Sequence, residues 1–199
     1  MALERLIIFV KAPRAGAVKT RLAQGIGSEA AVAAYRALVE TLLQNLAAIS
    51  EVELRCSPDD AAGEIEAWRR PPWRMRPQGH GDLGQRLVCA FADAFADGTQ
   101  RVVIIGSDCP YVTAQDIANA WAALEQHDVV FGPATDGGYW LIGLRSLQPA
   151  LFQNIHWSTD AVFRETHDLA RAANLSVYLL RTLSDVDTQT DWLEYLASR

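Results

Sequence analysis

The fold of this chain is indicated most clearly by its first apolar run, Leu6-Ile7-Ile8-Phe9-Val10, and by the loop that follows it, Lys11–Arg21. The apolar run is short, is rich in β-branched residues and does not alternate with polar ones. This pattern is typical of a strand buried on both faces of a parallel sheet. Because ligands bind beyond the carboxyl ends of such strands, the loop is the first candidate for a site.

Strand and helix patterns alternate along the rest of the chain, without an internal repeat or a linker. We predict further strands at Val52–Cys56, Trp73–Arg76, Val102–Ile105, Val129–Phe131, Tyr139–Ile142 and Val177–Leu180. We predict helices at about Ser28–Ala48, Asp59–Arg70, Gln85–Ala96, Thr113–Leu124 and Ser158–Ala173, and a last one from Thr188. The alternation favours a three-layer α/β/α sandwich with a mostly parallel central sheet, in one domain spanning residues 1–199.

Composition and charge argue against several classes of protein. Half of the 199 residues are apolar and 21% are charged, which is typical of a soluble globular protein. The net charge of −6, without a basic stripe, argues against nucleic acid or a membrane as a partner. Three cysteines without a CxxC pair argue against disulfides and a cysteine zinc site. The N-terminus fits neither a signal peptide nor a membrane span, so we expect a cytoplasmic protein. The sequence does not indicate its oligomeric state.

The loop Lys11–Arg21 predicts contacts to phosphate. It contains Gly16, Thr20 and four cationic side chains, among them Lys11 and Lys19, the only lysines of the chain. Together with the amides at the start of the next helix, these groups suit a diphosphate. A solvated basic loop is the alternative. A Walker A loop is excluded, because a β-branched valine precedes Lys19 where that motif needs glycine.

Gly106-Ser107-Asp108 follows a predicted central strand and places a carboxylate at the same edge of the sheet. Beside a diphosphate, Asp108 would be repelled by about 4 kcal/mol per pair of unit charges at about 4 Å. A divalent cation, Mg²⁺ or Mn²⁺, between the two groups would turn this repulsion into attraction. The alternative is that Asp108 only caps the turn before Pro110.

A second group of carboxylates, in Asp185-Val186-Asp187-Thr188, follows the last predicted strand. Asp187 could meet Asp108 across the sheet edge as a second metal ligand. Alternatively, Asp187 or Thr188 caps the final helix, and the spacing alone favours the cap.

Two glycine-rich turns carry further polar side chains. Asp136-Gly137-Gly138 predicts a tight turn, and the Tyr139 and Trp140 that follow it would suit an acceptor pocket. Gly81 and Asp82 lie in a stretch that would either approach a nucleobase or only turn into a helix.

Taken together, these segments resemble the bacterial DUF2064 family over nearly the whole chain. The matching motifs are Lys11-Ala12-Pro13 with Gly16 and Lys19-Thr20-Arg21-Leu22, Gly81-Asp82-Leu83-Gly84, Gly106-Ser107-Asp108, Gly132-Pro133 with Asp136-Gly137-Gly138-Tyr139, and Trp157-Ser158-Thr159. This family is classed with the GT-A nucleotide-diphospho-sugar transferases. Some members are named arsenosugar-biosynthesis or radical-SAM-associated glycosyltransferases.

The resemblance implies a GT-A fold and a role for each matching position. The implied donor-binding residues are Lys11, Gly16, Lys19, Thr20, Arg21 and Ser107, with the nucleobase near Gly81 and Asp82. Asp108 would anchor the metal, and Asp187 would be its second ligand. One departure matters: GT-A glycosyltransferases carry an Asp-x-Asp pair, whereas the first position here is Gly106. A single aspartate with a distant carboxylate is closer to nucleotidyltransferases.

Three hypotheses about function follow. The first is a metal-dependent glycosyltransferase that moves a sugar from a nucleoside-diphosphate donor to a small-molecule acceptor. Asp108 and Lys19 would then stabilise the leaving group, and Asp136 would be the acceptor's base. The second is a nucleotidyltransferase, in which a phosphorylated or hydroxyl acceptor attacks a nucleoside triphosphate and releases pyrophosphate. The third is a nucleotide-binding module without catalysis.

Overall fold

The computed structural model describes residues 3–198, and the part of the chain in that range forms one seven-stranded sheet. The strands are β1 (Glu4–Lys11), β2 (Val52–Ser57), β3 (Arg74–Pro77), β4 (Arg101–Ile105), β5 (Val129–Pro133), β6 (Tyr139–Leu144) and β7 (Val177–Leu179). The helices are α1 (Thr20–Ile26), α2 (Ser28–Asn45), α3 (Ala62–Ile65), α4 (Leu83–Ala96), α5 (Ala114–Ala123), α6 (Val162–Ala172) and α7 (Gln189–Ala197). The predicted domain of residues 1–199 also includes Met1, Ala2 and Arg199, which lie outside the described residues.

The sheet is mostly parallel, as predicted, with the order β3-β2-β1-β4-β6-β5-β7. β1 pairs in parallel with β2 and β4, β2 with β3, and β5 with β7. β6 runs antiparallel between β4 and β5, because it follows β5 through a short turn. The carboxyl ends of β1, β4, β5 and β7 therefore meet at one edge, and the loops that follow these strands lie together there.

Helices cover both faces of the sheet, which gives the predicted three layers. Successive residues of β1 point to opposite faces. Leu6, Ile8 and Val10 join the core beneath α2 and α5, whereas Ile7 and Phe9 join the core beneath α4 and α6. Burial on both faces explains why the run at the start of the chain is apolar without alternation. Within residues 3–198, no helix combines the length and the apolar character that crossing a bilayer requires.

Ion pairs connect the sheet to one end of α4. Glu53 and Arg55 lie on the face of β2 that packs against α4, and both are buried. The Arg55 guanidinium donates to Glu53 Oε1 at 2.6 Å and to Asp93 Oδ2 at 2.7 Å. Arg5, also buried, donates to Asp97 Oδ2 at 2.7 Å. We call these five residues the buried charge cluster. Glu53 alone faces two buried arginines, and Asp93 and Asp97 supply the further carboxylates that these arginines need.

Three local predictions differ from the structure. Of the helix predicted at about Asp59–Arg70, only Ala62–Ile65 is α-helical, followed by a 3-10 turn at Glu66–Trp68. Thr20–Ile26 form α1, a short helix that the sequence analysis did not predict. The helix predicted from Ser158 begins instead at Val162, with Ala161 at its N-cap. Ser158 has a φ of 66°, in the left-handed region, so it cannot cap a helix from an extended conformation. Residues 158–160 therefore lie outside α6, and they form part of the wall of the cleft described below.

Candidate active site

A cleft of about 620 Å³ lies at the carboxyl edge of the sheet. The loops after β1, β4 and β7, the turn between β5 and β6, and the segment before α6 all contribute to its walls. Its charged lining residues are Lys11, Lys19, Arg21, Asp108, Asp136, Asp160, Asp185 and Asp187. Five carboxylates thus surround three cations, and the cleft is acidic although a basic loop forms one wall.

Lys19 joins the two carboxylates that the sequence analysis nominated as metal ligands. Its Nζ lies 2.7 Å from Asp187 Oδ1 and 3.1 Å from Asp108 Oδ1. The Lys19 backbone is left-handed, with a φ of 47°, at the N-cap of α1, and the side chain is buried. Burial lowers the pKa of Lys19, but Asp108 and Asp187 outweigh it and raise the pKa above its usual value. The ammonium therefore stays charged at neutral pH.

The pKa of Asp185 reflects both its burial and the negative charge around it in the cleft. Burial, followed by the carboxylates of Asp108, Asp187 and Asp136, raises its pKa to about 7 against the opposing effect of Lys19. One ammonium is thus not enough to balance the acidic groups around it. A ligand or ion that brings positive charge here would be stabilised by the same field.

The final helix leaves Asp187 free for the cleft. Thr188, not Asp187, is the N-cap of α7, and its Oγ1 accepts from the Asp191 backbone N–H at 3.3 Å. The Asp191 carboxylate in turn accepts from the N–H groups of Asp187 and Thr188. Of the two alternatives for this segment, the cap therefore belongs to Thr188, and the carboxylate of Asp187 pairs with Lys19.

Tyr35, on α2, connects the loop after β1 to the loop after β4. Pairing between β1 and β4 ends at Ile8, so the Lys11 N–H lies beyond the partner strand. The Tyr35 hydroxyl accepts from that N–H at 2.9 Å and lies 3.0 Å from Ser107 Oγ. The tyrosine is fully buried. One hydroxyl thus holds a loop that carries cations against the residue that precedes Asp108.

The turn Asp136-Gly137-Gly138 packs against the segment before α6. Asp136 is exposed, and its Oδ1 accepts from the Gly138 N–H at 2.9 Å. Gly137 has a φ of 89°, and a Cβ there would lie 2.1 Å from the Asp160 carbonyl oxygen. Only glycine fits this contact. Asp136 is therefore presented to the cleft by a turn that cannot move independently of Asp160.

The structure adds a wall that the sequence analysis interpreted only as the start of a helix, residues 157–160. Trp157, Ser158, Thr159 and Asp160 all line the cleft. The Trp157 ring packs so closely on Gly84 of α4 that a Cβ there would lie 3.0 Å from it. The only signal in the sequence was the presence of Trp157-Ser158-Thr159 among the motifs of the resemblance.

The structure brings most of the predicted site residues together. Those that line the cleft are Lys11, Lys19, Thr20, Arg21, Asp108, Asp136, Tyr139 and Asp187. A second cavity of about 310 Å³ adjoins it and shares Lys11, Asp108 and Tyr139. Ser107 lies in the wall of this second cavity, where it contacts Tyr35.

Four predicted residues lie elsewhere or have another role. Trp140 is 3% exposed, and its indole N–H donates to the Arg181 carbonyl at 3.1 Å. It lines the second cavity together with Tyr139, but it does not line the cleft. Strand alternation is the reason, since neighbours point to opposite faces. Asp82 is the N-cap of α4. Gly16 and Gly81 do not line the cleft, and contacts of Gly81 or Asp82 to a nucleobase stay predictions.

A divalent cation fits the chemistry of this cleft. Among residues 3–198, no three His, Cys, Asp or Glu side chains converge closely enough to hold a metal by themselves. Mg²⁺, however, is commonly held by one or two carboxylates together with substrate phosphates and water. Asp108 and Asp187 already share one cation, the Lys19 ammonium. These two carboxylates could therefore hold a hard divalent ion whose other ligands come from phosphate and water.

Comparisons with known proteins agree with the predicted resemblance. The profile of the family described as "Uncharacterized protein conserved in bacteria (DUF2064)" matches residues 41–159. A solved structure from Desulfovibrio desulfuricans G20, provisionally named a nucleotide-diphospho-sugar transferase, is 37% identical. The match covers 94% of this chain and 84% of that one, with a TM-score of 0.89. No curated protein matches the chain.

Two more distant structures share the fold alone. One is the 4-diphosphocytidyl-2C-methyl-D-erythritol synthase of Anaerococcus prevotii DSM 20548, at 12% identity and a TM-score of 0.65, covering 98% of this chain and 99% of that one. The other is Rv0371c of Mycobacterium tuberculosis H37Rv in complex with manganese, at 14% identity and a TM-score of 0.58, covering 100% of both chains. Because the DUF2064 profile matches more than half of its residues and a 37% identical protein aligns with nearly all of it, the chain belongs to the DUF2064 family.

Proposed function

We propose that this chain is a transferase that takes a nucleotide-activated donor and binds the donor's phosphates in the cleft. The observation that carries the proposal is the convergence of Lys11, Lys19 and Arg21 with the carboxylates of Asp108 and Asp187 at one sheet edge. Cations alone would suit any anion. Cations beside paired carboxylates suit an anion that arrives with a divalent metal.

The names of the similar proteins support this proposal. The 37% identical relative is provisionally named a nucleotide-diphospho-sugar transferase. The Anaerococcus protein is named for a product that contains a diphosphocytidyl group, and Rv0371c was crystallised with manganese. We therefore propose Mg²⁺ or Mn²⁺ as the cofactor, with Asp108 and Asp187 as its protein ligands. Such an ion would neutralise the charge that develops on the departing phosphate oxygens.

The residues of the chain divide between the donor and the acceptor. Lys11, Lys19 and Arg21 would donate hydrogen bonds to the donor's phosphates, and Thr20 would add its hydroxyl. These contacts are worth most when charge develops on the leaving group, because they are fixed before the reaction. On the opposite side, the exposed carboxylate of Asp136 would accept a proton from the acceptor. Tyr139 and residues 157–160 would bind the acceptor.

Glycosyl transfer is our first candidate, because the most similar of the proteins compared above carries that kind of name. Nucleotidyl transfer is the second, and a specific observation favours it. The carboxylate that joins Asp108 is Asp187, after the last strand, and Gly106 offers none. Both reactions use the same cleft and differ in which phosphate bond or sugar bond breaks. We propose that residues 1–199 form one domain for either reaction.

A thermal-shift panel tests the proposal. UDP-, GDP-, ADP-, CDP- and dTDP-sugars and the four nucleoside triphosphates are each added with and without Mn²⁺, because a ligand that binds the native state raises Tm. Metal-dependent stabilisation by a nucleotide sugar supports glycosyl transfer, and by a triphosphate it supports nucleotidyl transfer. Stabilisation by neither refutes the proposal.

A matched pair of variants locates the metal-dependent effect. Asp108→Asn should abolish the part of the stabilisation that needs Mn²⁺. Asp160→Asn removes the same charge from the same cleft, but this side chain pairs with no cation among the described residues, so the effect of Mn²⁺ should persist. Equal loss in both variants would show that net charge, and not coordination by Asp108, is responsible.

A further inference from the structure

The ammonium of Lys19 reaches Asp108 and Asp187 from inside the protein. The Lys19 side chain is only 2% exposed, whereas the side chains of Asp108 and Asp187 are 45% and 36% exposed. The carboxylates therefore have one side against the lysine and another side open to the cleft. An ion that enters from the cleft meets two carboxylates that each already hold the ammonium with one oxygen, Oδ1.

The position of Lys19 is built into the backbone. The residue is the N-cap of α1 with left-handed dihedrals, and its carbonyl accepts the first helical hydrogen bond from Ala23 at 2.8 Å. Its neighbour Val18 and the next apolar residue of α1, Leu22, are both buried. These anchors fix where the lysine leaves the chain. A non-glycine residue in this conformation is uncommon, and such strain persists only where the surrounding structure enforces it.

We propose that Lys19 is an internal counter-ion that competes with a divalent cation for Asp108 and Asp187, and that a phosphate which binds the Lys19 ammonium relieves this competition. The inference rests on the proposed function for the location of metal and phosphate. A divalent ion on the same oxygens would lie within about 4 Å of the ammonium, where like charges repel strongly. If phosphate draws the ammonium away, phosphate and metal strengthen each other's binding, because such coupling is reciprocal.

This arrangement would make metal binding conditional. Without phosphate, the lysine satisfies the two carboxylates, and a divalent ion gains little by replacing it. With phosphate, the ammonium gains a new partner and the carboxylates become available. The protein would then bind its metal ion together with its donor, and not before the donor binds.

The test measures binding of Mn²⁺ alone by electron paramagnetic resonance, without nucleotide. Lys19→Met keeps most of the side chain's volume and removes its charge, and we expect it to bind Mn²⁺ at least about tenfold more tightly than wild type. Lys11→Met is the matched control. It removes the other lysine of the same cleft, whose ammonium forms no ion pair within residues 3–198, and we expect a change of less than about threefold. Equal Mn²⁺ affinity in wild type and Lys19→Met would overturn the inference.

A second arm tests the role of phosphate. Inorganic phosphate, with free Mn²⁺ corrected for the complex that the two ions form, should tighten Mn²⁺ binding in wild type and much less in Lys19→Met. Equal tightening in both would refute the relief of competition by phosphate. Adding Asp187→Asn to Lys19→Met should remove the gain in affinity, and a gain that persists would place the ion elsewhere.

Folding and the proposed function are controlled separately. Circular dichroism establishes that Lys19→Met folds, and if it does not, Lys19→Gln carries the same expectation, because its neutral amide leaves the carboxylates without a counter-charge. The Mn²⁺ measurement needs no nucleotide. Tighter Mn²⁺ binding in the variant, with no response to any nucleotide, would keep this inference and refute the proposed function.

Discussion

Replacing Tyr35 with phenylalanine removes one hydroxyl and leaves the buried ring in place. That hydroxyl accepts from the Lys11 N–H at 2.9 Å and lies 3.0 Å from Ser107 Oγ. Because the ring stays, the hydrophobic contribution of Tyr35 is unchanged. The substitution therefore isolates the polar link between the loop after β1 and the loop after β4.

The expected loss follows from the partners left behind. A buried polar group without a partner costs about 1–3 kcal/mol. Lys11 lies at the cleft, where water can replace the hydroxyl, so we assign this cost once, to Ser107, and expect about 1–3 kcal/mol in the free energy of unfolding. For a chain of this length, each kcal/mol lowers Tm by about 2–4 °C. Tyr35→Phe should therefore melt roughly 2–12 °C lower than wild type.

The functional effect should exceed this general loss. Ser107 directly precedes Asp108, and Lys11 carries one of the cations of the cleft. Small displacements of positioned groups weaken binding and catalysis steeply. We expect the most stabilising nucleotide of the panel to bind about tenfold more weakly, which corresponds to about 1.4 kcal/mol. Isothermal titration calorimetry, together with urea unfolding, measures both quantities on the same protein.

Tyr178→Phe is the control, since it removes a hydroxyl from an exposed tyrosine on the edge strand β7. We expect it to change neither stability nor nucleotide affinity. A Tyr35→Phe protein with unchanged unfolding free energy would show that the link carries no net stability. A destabilised variant with unchanged nucleotide affinity would show that Tyr35 supports the fold without positioning the site.

Two further predictions concern the frame around the cleft. Burial raises the pKa of Asp116, but hydrogen bonds from Arg181 and Thr113 outweigh it and hold the pKa below its usual value. This stability is present above about pH 4, the ordinary pKa of an aspartate, and is lost as pH falls through the folded-state pKa. Urea unfolding should show Asp116→Asn about 1–3 kcal/mol less stable than wild type at pH 7, and this difference should shrink as pH falls below about 4. Gly137→Ala should lower the free energy of unfolding by about 1–3 kcal/mol and also reduce the stabilisation by nucleotide, because its Cβ would lie 2.1 Å from a carbonyl oxygen of the cleft wall. Gly16→Ala, with a φ of 78° and no atom within 4 Å, should lower the free energy of unfolding but leave the stabilisation by nucleotide unchanged. An equal loss of nucleotide-induced thermal shift in both variants would contradict this.

The sequence was sufficient for the sheet and for the location of the cleft. Apolar runs of four or five residues predicted buried strands, and parallel strands bring their carboxyl ends to one edge. That rule is why Lys19, Asp108 and Asp187 could be grouped although 168 residues separate the first from the last. Their grouping in one cleft is shown by the structure, whereas their roles toward metal and phosphate stay proposals.

Details that depend on three-dimensional contacts could not be predicted. Nothing in the local pattern around Tyr35 shows that its hydroxyl contacts Lys11 and Ser107. Ser158 precedes a helix and resembles a cap, yet its left-handed φ places it in the wall of the cleft. Tyr139 and Trp140 were predicted together for an acceptor pocket, and both line the second cavity, but only Tyr139 also lines the cleft, because neighbours along β6 point to opposite faces. In each case a tertiary contact, which the local pattern does not contain, decides where the side chain lies.

The buried charge cluster sets the position of α4 along the sheet. Apolar contact is non-directional and would tolerate a helix that slides by a fraction of a turn. The pairs of Arg55 with Asp93 and of Arg5 with Asp97 do not, because a shift of α4 would break both hydrogen bonds and leave Glu53 as the carboxylate shared by the two buried guanidinium groups. The ion pairs at the C-terminal end of α4 thereby restrict the position of its N-terminal end. Leu83, at the first turn of α4, lines the cleft, so a shift of the helix that these ion pairs oppose would also move a residue of the cleft wall, about twenty ångströms away along a fourteen-residue helix.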